Sequence, residues 1–115
     1  MKETDIELGK KLVSEHYKVG NWYKISSPNE NIYQCKYIKI EKIRHVKNMS
    51  ERIFLKGKGF TTLKGALVTP SISKEEPVIF CWAEEYISRH PQLSETEVKS
   101  IFEQAVKKSF NNLFT

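Results

Sequence analysis

Residues 32–46 read Ile-Tyr-Gln-Cys-Lys-Tyr-Ile-Lys-Ile-Glu-Lys-Ile-Arg-His-Val, and this β-rich run decides the fold. Its phase is irregular. Tyr33, Cys35 and Tyr37 alternate on one face, Ile38 and Ile40 take the opposite one, and Ile43 returns to the first. A regular strand cannot bury all of these on one side, because successive side chains point to opposite faces. A bulge or sharp bend near Tyr37-Ile38, and again near Glu41-Lys42, resolves the conflict. Long bent strands of this kind belong to small, strongly curved sheets or barrels.

Working outward, residues 22–25 (Trp-Tyr-Lys-Ile) form a short strand and residues 26–31 a loop by composition. Beyond the central run, Asn48-Met49-Ser50 is a turn and residues 52–56 a strand around Ile53-Phe54-Leu55. Gly57-Lys58-Gly59 can supply a positive-φ turn. Residues 60–69 make a further strand, with an interruption at Gly65, and residues 70–77 a loop. Residues 78–82 are apolar throughout; they read as the last strand or as the start of a helix after Pro77, and periodicity leaves both open.

Helices close both ends. Thr4 followed by Glu7 is a capping box for a helix over residues 5–18, with an apolar stripe of Leu8, Leu12, Val13 and Tyr17 and a stop at Gly20. Residues 83–89 form a short helix that Pro91 ends. Ser94 followed by Glu97 is a second capping box, opening a helix whose Val98, Ile101, Phe102, Ala105, Val106 and Phe110 recur at helical spacing. The expected architecture is α+β. It is a strongly bent antiparallel sheet of about five strands, flanked by the N-terminal helix and the long C-terminal amphipathic helix. Residues 20–25 and 33–40 together resemble the opening of a small SH3-like open barrel, a look that short proteins of phage and mobile elements often have. That resemblance implies a fold and no function.

The 115 residues and the 39% apolar share suffice for one core and not two, so residues 1–115 read as a single domain. The longest uncharged apolar stretch, residues 78–83, is far short of a bilayer span, and the N-terminus lacks an apolar signal region. Cys35 and Cys81 are expected as buried reduced thiols, with a disulfide between neighbouring strands as the alternative. The expectation is a cytoplasmic protein without a membrane contact.

Catalytic signatures are missing from the sequence. It holds no Gly-rich phosphate loop, and the Gly57-Lys58-Gly59 pair is too short to be one. There is no nucleophile elbow, and His16, His45 and His90 fall in different elements, with nothing local to support a Cys35–His45 pair. Glu75-Glu76 and Glu84-Glu85 read as solvated surface. Two cysteines without metal-ligand spacing and three scattered histidines give no metal site, and no cofactor is expected.

Charge is the informative signal. The chain carries a net +5, with 19 basic and 14 acidic residues. Residues 36–64 hold nine basic residues (Lys36, Lys39, Lys42, Arg44, Lys47, Arg52, Lys56, Lys58 and Lys64) against Glu41 and Glu51, a net of +7, while the remainder nets −2. The whole positive excess therefore lies on the β region. A Lys-rich codon bias alone would spread lysine along the chain.

The expected function is a non-enzymatic binding module that meets nucleic acid through a basic β surface. The candidates are Lys36, Lys39, Lys42, Arg44, Lys47, Arg52, Lys56 and Lys58, with Tyr33, Tyr37 or Phe60 available to stack on bases if exposed. The alternative partner is an acidic protein surface, as for a small mobile-element protein that blocks a host complex. Trp22 is a candidate partner anchor, because adjacent Trp22 and Tyr23 face opposite ways on a strand. The bland alternative is a solvated face whose lysines blunt edge pairing.

Overall fold

The computed structural model describes residues 4–26, 36–48 and 50–113, with side chains as far as Asn111. The deciding run forms β2 (Tyr37–Val46), antiparallel to β1 (Trp22–Lys24) on one side and to β3 (Arg52–Leu63) on the other. β3 folds back on β4 (Ala66–Ile79), and β5 (Gln92–Leu93) adds to β1. The result is a five-stranded antiparallel sheet in the order β4-β3-β2-β1-β5, which stays open with β4 and β5 as its edges.

One of the two expected irregularities is present. The register of β2 against β3 shifts between Ile40 and Lys42, leaving Glu41 as the extra residue. The bulge restores the inward phase: Ile38 and Ile40 before it share a face with Ile43 after it. No shift occurs at Tyr37-Ile38, whose partners Phe60 and Gly59 are consecutive. Both residues are buried nonetheless, because β2 is covered on both faces at that end.

On the inner face, Ile38, Ile40, Ile53, Leu55 and Val78 pack against helix α1 (Ile6–His16), a 3-10 turn (Phe80–Trp82) and helix α2 (Ala83–Arg89). On the outer face, helix α3 (Glu95–Leu113) seats Val98, Ile101 and Phe102 on Tyr37, Phe60, Trp22 and Leu67. It covers only this end of the sheet. The Ser94–Glu97 capping box forms as expected, each residue's backbone N–H donating to the other's side-chain oxygen at 3.1 Å.

Several local expectations are corrected. Gly57-Lys58-Gly59 is not a turn; it lies inside β3, whose pairing with β2 runs through it. A Cβ on Gly57 would stand 2.0 Å from the Lys39 carbonyl oxygen, so glycine is required by close backbone approach and not by a positive φ. The turn is Lys64-Gly65, with φ of 52° and 83°, as a two-residue hairpin loop demands. Residues 70–77 are not a loop but part of β4, where prolines are tolerated because the strand is an edge, and Pro70 falls among the register shifts near the turn. Residues 78–82 divide between the end of β4 and the 3-10 turn. The Thr4–Glu7 box does not form: Asp5 is the N-cap without a side-chain bond, and Thr4 is buried with its backbone N–H donated to the Cys81 carbonyl. The buried stripe of α1 is Gly9 and Val13, continuing to Tyr17, while Leu8 is 46% exposed. Glycine suits position 9 because a Cβ would meet the Phe80 carbonyl oxygen at 2.1 Å.

Cys81 is a free, half-buried thiol in the 3-10 turn. Tyr33 and Cys35, with most of the 26–31 loop, lie outside the described residues. Among the described residues, no helix is long and apolar enough to cross a membrane.

Candidate functional site

Cross-strand partners share a face, so the register sorts the basic residues. The outer-face pairs of β2 and β3 are Tyr37–Phe60, Lys39–Lys58, Lys42–Lys56, Arg44–Phe54 and Val46–Arg52. Lys39, Lys42, Arg44, Arg52, Lys56 and Lys58 therefore stand on one face, and α3 reaches only its near end, at Lys39 and Lys58. Lys39–Lys58 and Lys42–Lys56 are like charges directly opposite each other on neighbouring positions of the ladder. Such pairs oppose strand association. Edge protection does not account for Lys56 and Lys58, since β3 is paired on both sides; β1 pairs with β2 only over Tyr37–Lys39, so Lys42 lies beyond that pairing.

At the far end of the face the Arg44 and Arg52 guanidiniums lie 4.7 and 5.4 Å from the centroid of Phe54. Glu75 of β4 accepts a hydrogen bond from Arg44 Nη2 at 2.5 Å and stands opposite Lys56 in the register. It is the one carboxylate that β4 places beside this ladder.

At the near end a groove of about 790 Å³ opens between the sheet and the first turns of α3. Trp22, Phe60, Val98 and Phe102 give it apolar walls, and Lys39, Lys58 and Lys99 stand around it with Glu41 and Glu95. Trp22 is half-buried, its ring centroid 6.0 Å from that of Phe60. Lys39 and Lys58 belong to both the ladder and the groove, so the two are continuous.

The other expected residues fall elsewhere. Tyr37 is 7% exposed and stacked on Phe60 at 4.9 Å, beneath α3; it belongs to the core and offers no stacking surface. Phe60, at 3% exposure, is likewise core. Lys36 precedes β2 and is half-buried, its backbone N–H donating to the Phe60 carbonyl at 3.2 Å. Lys47 is exposed just past the end of β2. Four contributors were not anticipated: Phe54, Glu75, Lys99 and Phe102. Phe54 was within reach, because a period of two carried through Gly57 puts Arg52, Phe54, Lys56 and Lys58 on one face; the assumed turn hid it.

A second polar cluster lies on the inner side, with Tyr17 and His90 buried and Lys74 and Glu76 half-buried. The Tyr17 hydroxyl meets His90 Nδ1 at 2.7 Å, and His90 Nε2 lies 3.6 Å from Glu76, which pairs with Lys74 at 3.3 Å. Burial pushes the Tyr17 phenol up. Burial also pushes Glu76 up, but the hydrogen bond from His90 and the charge of Lys74 outweigh it and hold the carboxyl below its ordinary value. No group of three or more metal-ligating side chains occurs among the described residues. Comparison with protein-family models, curated sequences and solved structures finds no match. Function must therefore be argued from the geometry of this chain.

Proposed function

We propose that the chain is a non-enzymatic binding module that holds nucleic acid on its open outer face. The observation that carries the reading is the pair of opposed lysines, Lys39–Lys58 and Lys42–Lys56, at neighbouring outward positions of the β2–β3 ladder. A sheet that sets like charges face to face loses stability where they repel, and departures from local consistency of this kind concentrate at functional sites. A bound polyanion removes the repulsion by neutralising both members of each pair, releasing counterions as it does so. The test is the affinity for DNA and RNA oligonucleotides across a salt series. Binding should weaken steeply with salt, and each contacting cation removed should lower the slope by about one unit. Lys42→Gln and Lys56→Gln are the variants of choice. Absence of binding to either nucleic acid at low salt overturns the reading.

One observation favours a second partner class. Arg44 and Arg52 against Phe54 is the arginine–aromatic composition of protein hot spots. An acidic protein surface docked there makes Phe54→Ala, rather than the lysine variants, the most damaging substitution. It also predicts a stoichiometric protein partner whose capture survives nuclease treatment.

A further inference from the structure

We infer that the groove beside α3 takes an unstacked base, which makes the face a site for single-stranded rather than duplex nucleic acid. The inference rests on the polyanion reading above and deepens it. Two features point to a single strand. First, alternate residues of a strand stand about 7 Å apart on one face, close to the phosphate repeat of an extended single-stranded backbone, so the rows Lys58, Lys56 and Lys39, Lys42 can follow such a backbone. Second, those rows run into the groove itself. It has about 790 Å³ of space, half-buried Trp22 and Phe102 in its walls, and Lys39, Lys58 and Lys99 around it against Glu41 and Glu95. That volume lies within the range that small-molecule sites occupy, and flat apolar rings with cations beside them suit a base still joined to its phosphate. A duplex keeps its bases inside and offers the groove nothing to receive.

The test compares three probes at one low salt concentration: an oligothymidylate of about 12 nucleotides, a duplex of the same length, and inorganic polyphosphate, which has charge but no bases. The single strand should bind at least roughly tenfold tighter than polyphosphate, and Trp22→Leu should remove that advantage. As a check independent of that variant's folding, Trp82→Phe leaves Trp22 as the sole tryptophan. Its fluorescence should be quenched by the single strand and unaffected by polyphosphate. Equal affinity for all three probes or preference for the duplex overturns the inference while leaving charge-driven binding standing. Failure of every probe to bind overturns the polyanion reading instead.

Discussion

Lys42 and Lys56 face each other across β2 and β3, and each repels the other whenever the face is empty. Replacing Lys42 with Thr, a good strand former, should therefore stabilise the free protein by roughly 0.2–1 kcal/mol and weaken oligonucleotide binding. A urea titration and a binding isotherm on the same variant check both signs; a fall in stability would mean that the ladder carries no net repulsion. Gly57 acts in the opposite sense. Its hydrogen is all that fits against the Lys39 carbonyl, so Gly57→Ala should cost about 1–3 kcal/mol and lower the urea midpoint, since backbone faces backbone and neither can yield. Tyr17→Phe should cost about 1–3 kcal/mol, because it leaves the buried His90 Nδ1 without its partner. Little of this was legible in advance. Net charge counts Lys42 and Lys56 alike wherever they point, and only the register states that they oppose each other. A glycine held by close approach looks the same in a sequence as one that makes a turn.

Elements were legible in proportion to how local their causes are. α3 is set by its own 3.6-residue period and by the Ser94–Glu97 box, and it formed as read. Ser94→Ala should cost about 0.5–2 kcal/mol, seen as a lower thermal midpoint. It should also loosen the groove wall that Val98 and Phe102 provide, so any base-dependent part of binding falls with it. The Thr4–Glu7 box has the same letters and did not form, because Thr4 is committed to a long-range backbone bond with Cys81. The strands were harder. β3 and β4 are long because they pair with each other over most of their lengths, and no local rule expects a strand to run through Gly57-Lys58-Gly59 or to hold Pro70 and Pro77. Their hairpin makes the molecule long for its mass, with extents of 53 × 26 × 20 Å.

At the scale of the whole molecule, the sheet has two differently built sides. The outer side presents charge to water, whereas the inner side holds the Lys74–Glu76–His90–Tyr17 network between β4 and the helices. Because the folded protein holds the Glu76 carboxyl below its ordinary value, its contribution to stability is complete above the usual carboxylate range, near pH 4.3, and is lost as pH falls through the lowered value. Acid titration of the urea midpoint should show this loss, and Glu76→Gln should flatten the curve below the usual carboxylate range. Finally, the bulge at Glu41 bears on heredity. A single-codon deletion inside a paired strand ordinarily exchanges the outward and inward side chains of everything beyond it, but Glu41 is the extra residue of the bulge, and its in-frame loss would set Ile40 and Lys42 side by side opposite Gly57 and Lys56 with the alternation kept. Lys42 and Arg44 would still point outward and Ile43 into the core, whereas loss of Ile43 would turn Arg44 inward and His45 outward. For this strand the count of residues carries as much information as their kinds everywhere except at position 41, which a lineage can lose as well as substitute without turning the strand over.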